Sequence, residues 1–228
     1  MSVRKLLETQ EVSHHGGARE YAKGHGKYLR RWLGKVAAEI RGLGIKGSYL
    51  EVGAGPGFLA AMLAEALPDV RITAIDIAAD MAEVAREHFR QKGLQDRIQY
   101  RVADAGNAPQ LEELGRPDLV YSTLSLHHWR DPVGALRSLW GVLKEGGVLY
   151  IRDLRRCGWL YHLPLRGGFI DSVRASFTPA EIRGILKELG VANCHVRSPF
   201  PYLTMTAVAR KRRGPCLRKG AHGKGHEL

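Results

Sequence analysis

The sequence has few cysteines and no long hydrophobic run. Three cysteines, Cys157, Cys194 and Cys216, lie far apart in a chain of 228 residues. An odd number at such spacing indicates neither a disulfide framework nor a zinc site, so we expect no metal. No apolar run reaches the length of about 18 residues that a membrane-spanning helix needs. The N-terminus lacks the apolar stretch of a signal peptide, and a reducing cytoplasm is the expected compartment.

Acidic residues are scarce relative to basic ones, and the imbalance lies at the two ends. The formal net charge is +12. Residues 1–46 hold ten Lys and Arg against four Asp and Glu, and residues 208–228 hold seven against one. The middle is neutral, which argues against a broad surface that follows a phosphate backbone. We expect a flexible basic tail at 212–228, and contact of the basic ends with a nucleic acid or an anionic membrane is the less favoured alternative.

A glycine-rich turn behind an apolar strand is the most informative feature that is present. Gly53, Gly55 and Gly57 alternate with other residues and follow the acidic Glu51. Glycine takes positive φ angles readily and lets the backbone come close to a ligand. The helix predicted over 58–67 would turn its free N–H groups toward the same ligand. The pattern indicates a site for a nucleotide-like cofactor, although a tight turn without a ligand would also use these glycines.

Two further strand-like runs end in an acidic residue. The run Val70–Asp76 closes with a carboxylate about 20 residues beyond the glycines, an offset at which an acid can accept both hydroxyls of a ribose. The run Ile98–Ala105 includes a second acid, Asp104. Either acid could instead be a helix cap or a turn residue. Three strand ends with suitable groups in order favour the cofactor site.

The spacing E-x-G-x-G-x-G resembles motif I of the class I S-adenosylmethionine (SAM)-dependent methyltransferases. A dinucleotide fingerprint would instead need glycine at the position of Phe58. The resemblance covers about 47–211 and extends to predicted strands at 117–122 and 146–153. It implies an α/β, Rossmann-like fold whose seven-stranded, mostly parallel sheet has the order 3-2-1-4-5-7-6 and helices on both faces. Strands at 193–198 and 202–210 would form its antiparallel terminal hairpin.

The resemblance also implies a binding site for SAM, with S-adenosylhomocysteine (SAH) as the product. Glu51 would orient the amino group of the methionine moiety, Asp76 the ribose, and Asp104 the adenine amino group. The cofactor residues implied in this way are Glu51, Gly53, Ala54, Gly55, Gly57, Asp76, Ile77, Asp104, Ala105 and Ser122.

The acceptor side of the site is expected after the fourth and fifth strands. His127 and His128 follow strand four, where an imidazole could take a proton from the acceptor, or the pair could simply pack the turn. The segment 153–171 is interpreted as a long loop that forms a substrate wall or lid. The residues expected in the substrate pocket are Tyr21, His25, Trp129, Asp153 and Tyr161.

The predicted domain organisation has three parts. Residues 1–46 form a helical cap, with a helix over 27–43, and residues 47–211 form the SAM-binding domain. The basic tail occupies 212–228. Further helices are predicted at 79–92, 132–143 and 179–189, and Thr178 and Glu181 form a capping box at the start of the last one.

Two sequence motifs that are missing from this chain reduce the range of acceptors to be expected. Ser122–Ser125 stands where amino-directed base methyltransferases carry an Asp- or Asn-Pro-Pro-aromatic tetrad, and no cysteine is suitably placed for cytosine C5 chemistry. We therefore expect methyl transfer to a small molecule, in a branch similar to the ubiquinone and menaquinone methyltransferases. The alternatives are an RNA- or ribosome-modifying methyltransferase and a non-catalytic regulator that binds SAM or SAH. The oligomeric state is not indicated.

Overall fold

The computed structural model of the protein describes residues 17–24, 26–164, 167–199 and 202–213. Helices and strands alternate through most of this range. In chain order the elements are α1 (Gly17–Gly24), α2 (Gly26–Gly42), β1 (Ser48–Val52), α3 (Phe58–Ala66), β2 (Arg71–Asp76), α4 (Ala79–Gln91), β3 (Ile98–Val102), α5 (Ala108–Glu113), β4 (Leu119–Thr123), a 3₁₀ turn (Leu126–His128), α6 (Pro132–Val142), β5 (Val148–Leu154), α7 (Gly158–Tyr161), α8 (Gly168–Ala175), α9 (Pro179–Glu188), β6 (Cys194–Arg197) and β7 (Thr204–Arg210).

The strands form a seven-stranded sheet in the order β3-β2-β1-β4-β5-β7-β6. Strands β1 to β5 pair in parallel, whereas β7 is antiparallel to both β5 and β6. The fold prediction is therefore confirmed, including the terminal hairpin. Because β1 to β4 are parallel neighbours, their carboxyl ends lie along one edge of the sheet, which is where such sheets bind ligands.

The sheet buries a hydrophobic core on each face. On one face α2, α3 and α4 cover side chains such as Tyr49, Ile72 and Tyr121. On the other face α6 and α9 cover side chains such as Leu50 and Val120. Residues that alternate along a strand thus enter different cores, as the pleat requires. The nearly continuous apolar strands predicted from the sequence reflect this burial on both sides.

Polar side chains set the start of several helices. Asp131 accepts a hydrogen bond from the Gly134 N–H over 2.8 Å, ahead of the proline that begins α6. Thr178 and Glu181 form the predicted capping box at the start of α9. These contacts satisfy N–H groups that have no partner within the helix. The sequence predicted these helix starts correctly for that reason.

The segment after β5 differs from the predicted long loop. Strand β5 continues to Leu154, and the short helices α7 and α8 follow it. Val173 and Ala175 of α8 are fully buried, so apolar packing gives this segment a regular structure. Its sequence has no strong cap or long periodic run to announce two such short helices. The interpretation of 153–171 as a loop was therefore wrong.

The proposed boundaries of the cap, the central domain and the basic tail remain predictions. The cap contributes α1 and α2 to the described structure, while residues 1–16 and the tail from 214 onward lie outside it. Within the described ranges, no helix combines the length and the apolar character needed to cross a bilayer.

Candidate active site

The glycine turn lies at the carboxyl end of β1 and has the predicted backbone geometry. Gly53, Gly55 and Gly57 have φ angles of 70°, 51° and 73°. A Cβ atom added at Gly53 would lie 1.9 Å from the Ser125 Oγ, and one added at Gly57 would lie 2.4 Å from the Phe89 ring. At Gly55 the same position meets no atom within 4 Å. Packing alone therefore explains two of the glycines, whereas the third faces open space.

Asp76 joins the end of β2 to this turn. Its Oδ2 accepts the Gly55 N–H over 2.8 Å, and its Oδ1 accepts the Ala78 N–H over 3.0 Å. Burial raises the pKa of the Asp76 carboxyl, and the backbone bonds act in the opposite direction. The N–H groups of Gly53 and Ala54 bond to the Ile75 carbonyl at 2.9 and 3.0 Å. These contacts place the acid beside the turn, in the position that the sequence predicted.

Glu51 is a buried carboxyl at the end of β1. Its side chain accepts a hydrogen bond from the Tyr121 hydroxyl over 3.2 Å, and the residue is 2% exposed. Burial raises its pKa to about 8, and the nearby charge of Asp76 adds to the rise. In the part of the chain that the structure describes, no basic side chain forms a salt bridge with Glu51. A cation that entered beside it would favour the ionised form.

Apolar side chains are exposed where β2 and β3 end. Ile77 is 63% exposed and Val102 is 47% exposed, and Val102 lies opposite Asp76 in the β2–β3 pair. Asp104 is exposed, and its Oδ1 accepts the Gly106 N–H over 2.8 Å, while Ala105 is buried. The arrangement offers apolar contact for a flat ring beside a carboxylate that remains accessible.

The chain turns sharply after β4. Leu124 has a φ of 50° and is the one non-glycine residue in the described ranges with a positive value. The turn brings Ser125 against Gly53, where the Ser125 Oγ accepts a hydrogen bond from the Trp129 Nε1 over 2.9 Å. Ser122, at the end of β4, has a buried Oγ without a hydrogen-bond partner in the described structure. The glycine turn and the segment after β4 are thus in direct contact.

His127 and Asp153 form a buried pair between the 3₁₀ turn and β5. The His127 Nδ1 lies 2.7 Å from the Asp153 Oδ1, and the His127 N–H donates to the Asp153 Oδ2 over 2.8 Å. The two residues are 3% and 1% exposed. Two hydrogen bonds to one carboxylate fix both the backbone and the ring of His127. The pair holds the turn after β4 in place.

The remaining predicted residues are spread more widely. His128 is half-buried, and its ring lies against that of His127 with 4.1 Å between the centroids. Tyr161 lies in α7, where its ring meets that of His162 edge-on at 5.0 Å. Tyr21 lies in α1, but its side chain is outside the described residues, as is the whole of His25. The structure thus places His127, His128, Trp129 and Asp153 together and leaves Tyr161 in the segment beyond β5.

A group of polar side chains on the sheet beneath α2 was not predicted from the sequence. Tyr121 of β4 lies opposite Tyr150 of β5, and the Tyr150 hydroxyl donates to Glu39 over 2.9 Å. Arg152, two residues along β5, also bonds to Glu39, at 2.6 Å. Polar side chains at alternating positions of a buried strand were the available signal, because such residues face the same side. No group of three or more potential metal ligands occurs in the ranges described above.

Part of the chain matches a known protein family and several curated proteins. Residues 50–151 match the family described as "Methyltransferase domain". A ubiquinone biosynthesis O-methyltransferase from Xanthomonas axonopodis pv. citri is 32% identical over 132 residues, 58% of this chain and 52% of that protein. The chain spans about half the length of the ubiquinone-biosynthesis relatives that it matches.

Solved structures share the fold at lower identity. An O-methyltransferase family protein from Burkholderia thailandensis has a TM-score of 0.68 and 18% identity, over 82% of this chain and 57% of that one. The plantazolicin methyltransferase BpumL, solved in complex with a pentazolic desmethylPZN analog and SAH, has a TM-score of 0.64 and 16% identity, over 86% of this chain and 90% of that one. At these identities the likeness is one of fold alone.

Proposed function

We propose that this chain, whose residues 50–151 match a methyltransferase domain family, is a class I methyltransferase that transfers the methyl group of SAM to a small-molecule acceptor. The observation that carries the proposal is the buried carboxyl of Glu51, which has no basic partner in the described structure and stands beside an open glycine turn. A buried acid of this kind is costly unless a ligand compensates for it. The amino group and the sulfonium of SAM are both cationic.

The residues at the sheet edge fit the rest of that cofactor. The open space at Gly55 leaves room for the cofactor. Asp76 lies beside Gly55, where its carboxylate would accept hydrogen bonds from the ribose hydroxyls. Exposed Ile77 would contact the adenine ring, and Asp104 with the Ala105 N–H would pair its polar edge. The orphaned hydroxyl of Ser122 is a further group that a ligand at this edge could satisfy.

When bound, SAM would supply an activated methyl group on a positively charged sulfur. The chain's own task is then to position the acceptor, because aligning two reactants is worth on the order of 7 to 11 kcal/mol. Glu51 and Asp76 would hold the donor side, and the 3₁₀ turn fixed by Asp153 would hold the acceptor side. His128, which is half-buried and lies against the His127 ring, is the candidate to receive a proton from the acceptor.

Calorimetric titration with SAM tests the proposal. Asp76→Asn and Asp104→Asn each remove a carboxylate acceptor, and each should weaken SAM binding by roughly 1 to 3 kcal/mol. Asp69→Asn is the matched control, because Asp69 is exposed and lies before β2, away from the glycine turn. Unchanged SAM affinity in both site variants, or equal loss in the control, would contradict the cofactor assignment.

A search for the acceptor follows from the same proposal. Incubating the protein with cell extracts and methyl-labelled SAM, then profiling the labelled products, would identify the acceptor class. We expect label in small molecules. Label confined to RNA or ribosomes would instead support the nucleic-acid alternative, and SAM binding without any labelled product would support a regulator.

A further inference from the structure

A cavity of about 440 Å³ opens beside β5, on the face of the sheet that α2 covers. Its size is within the range of small-molecule sites, about 300 to 1,000 Å³. None of its lining residues belongs to the cofactor residues described above, nor to the acceptor residues predicted from the sequence. The lining residues are Glu39, Arg152, Arg197, Ser198, Pro199, Thr204 and Thr206.

Arg152 is held rigidly at the inner wall of this cavity. Its Nη1 donates to the Glu39 Oε1 over 2.6 Å, and its guanidinium carbon lies 5.2 Å from the centre of the Trp32 ring. The side chain is 15% exposed, and its Nε is buried without a partner in the described structure. A guanidinium has five N–H donors, so Glu39 satisfies only part of this group. Donor capacity remains on a side chain that is already ordered.

Arg197 supplies a second guanidinium on the outer wall. Within the described ranges no acidic side chain forms a salt bridge with it. Ser198, Pro199, Thr204 and Thr206 complete the lining, and none of them carries a charge. Two guanidinium groups and one carboxylate leave the cavity with one uncompensated positive charge. A single negative charge would balance it.

The register of the strands connects this cavity to the proposed site of methyl transfer. Thr123 pairs with Arg152, Arg152 with Thr206, and Thr206 with Arg197. The four residues therefore form one row across β4, β5, β7 and β6. Neighbouring strands are about 4.8 Å apart, so the row runs from about 5 Å to about 14 Å beyond β4. The turn that contacts Gly53 begins directly after Thr123, at the near end of that row.

We propose that this cavity binds a carboxylate group of the acceptor, with Arg152 and Arg197 as its ligands. The inference rests on the proposed function, because it makes the cavity the far end of the acceptor site. Arginine is suited to a carboxylate since its planar fork can donate two parallel hydrogen bonds. A monoanion matches the single excess charge, whereas a phosphate dianion would remain undercompensated. The acceptor would then extend from the carboxylate toward the turn after β4.

Binding of benzoate to the full chain tests the site without any need for turnover. Benzyl alcohol is the neutral comparison with the same ring, and inorganic phosphate is the dianionic one. We expect benzoate to bind at least tenfold more tightly than benzyl alcohol, and more tightly than phosphate, in calorimetric titrations at low salt. Arg197→Gln should weaken benzoate binding about tenfold and leave benzyl alcohol unaffected.

Two further variants make this test specific. Arg137→Gln removes the same charge from an exposed position of α6 and should leave benzoate binding unchanged. Arg152→Lys retains the charge beside Glu39 but loses the fork, and should weaken benzoate while circular dichroism stays constant. Equal affinity for benzoate and benzyl alcohol, equal loss in Arg137→Gln, or tighter binding of phosphate would overturn the proposal.

Titration of the same variants with SAM separates this inference from the proposed function. Arg197→Gln should bind SAM as the parent chain does, because Arg197 lies four strands from β1 in the sheet order. Failure of the parent chain to bind SAM would refute the proposed function. Failure of benzoate to bind while SAM binds normally would refute the carboxylate site alone.

Discussion

The hydroxyl of Tyr121 donates to a carboxylate oxygen of Glu51 over 3.2 Å, across the paired strands β1 and β4. Tyr121 is fully buried and Glu51 nearly so. The hydrogen bond favours the ionised acid, but burial acts more strongly and raises the pKa of Glu51 to about 8. The protein without ligand therefore holds a largely protonated acid at neutral pH, at the place where we propose that a cationic group of SAM binds.

Glu51→Gln is expected to stabilise the unliganded protein at alkaline pH. The folded pKa of about 8 lies above the ordinary value of 4.5, so the parent chain loses stability as pH rises between these values. Glutamine cannot ionise and avoids that loss. Relative to the parent, the variant should gain on the order of 2 to 4 kcal/mol at pH 8.5 and little at pH 4.5. Urea unfolding across this pH range measures the difference.

The same variant should bind SAM more weakly, because it lacks the negative charge. Glu65→Gln, on the exposed end of α3, is the control for removal of a carboxylate. A pH-independent difference in stability between Glu51→Gln and the parent would contradict the raised pKa. Retained SAM affinity would remove Glu51 from the binding site.

Substitutions at the glycines of the turn should distinguish a role in ligand binding from a role in packing. Gly57→Ala places a methyl group 2.4 Å from the Phe89 ring and should lower the free energy of unfolding by several kcal/mol. Gly55→Ala meets open space and carries only the cost of a positive φ, roughly 1 kcal/mol. We expect Gly55→Ala to fold normally and to lose SAM affinity by tenfold or more. Thermal unfolding and calorimetry on both variants would check this, and normal SAM binding by Gly55→Ala would show that the open space is not used.

The two adjacent histidines should respond differently to substitution. His128→Asn is expected to lower turnover about 10²- to 10⁴-fold with little change in SAM affinity, the effect of removing a general base. His127→Asn should instead lower stability by roughly 1.5 to 3 kcal/mol, because it breaks the buried bond to Asp153. Turnover with the acceptor identified by methyl-labelled SAM, measured together with thermal unfolding, distinguishes the two outcomes. Normal turnover in both variants would leave positioning as the whole mechanism.

We expect Lys211 to contribute to stability, unlike the basic residues that follow it in the C-terminal tail. The Lys211 Nζ donates to the carbonyls of Trp140, Gly141 and Leu143 near the end of α6, at 2.7, 3.2 and 2.8 Å. Lys211→Met should therefore cost about 1 to 2 kcal/mol of stability, while Lys187→Met at an exposed site of α9 should cost little. Chemical unfolding of both variants tests this difference.

Truncation after residue 213 keeps Lys211 and removes a segment that lies outside the described residues. We expect the truncated chain to retain its stability and turnover. RNA binding by the full chain that weakens steeply with salt and disappears on truncation would instead favour the nucleic-acid alternative. Gel-shift titrations at two salt concentrations would decide between them.

The fold and the backbone geometry at the carboxyl ends of β1 and β2 were predictable because each signal is local. Positive φ angles at Gly53, Gly55 and Gly57 follow from the residue type, and Asp76 follows from the end of an apolar strand. The helix starts at Asp131 and Thr178 were equally local, since a cap contacts a residue three positions later. The assignment of these residues to SAM binding stays a prediction.

The acceptor side depends on contacts between distant parts of the chain. The pairing of His127 with Asp153 needs β4 and β5 in register, and the anchoring of Arg152 needs Glu39 from a helix 113 residues earlier. Likewise, no local pattern indicated that Ser125 would occupy the space left by the missing side chain of Gly53. The short helices α7 and α8 form through burial against the rest of the protein, which local propensity does not reveal.

Arg152 and Asp153 are consecutive residues of β5, and the pleat directs them to opposite faces of the sheet. Arg152 faces the cavity under α2, and Asp153 forms hydrogen bonds with His127 in the turn after β4. A single-residue insertion or deletion early in β5 would turn each of the two side chains to the opposite face of the sheet, so that neither would reach its present partners. Insertions and deletions should thus be tolerated in the loop at residues 143–147, between α6 and β5, and not within β5 itself. A length change in that loop would leave both sites intact, whereas the same change within β5 would take the charged side chain away from each.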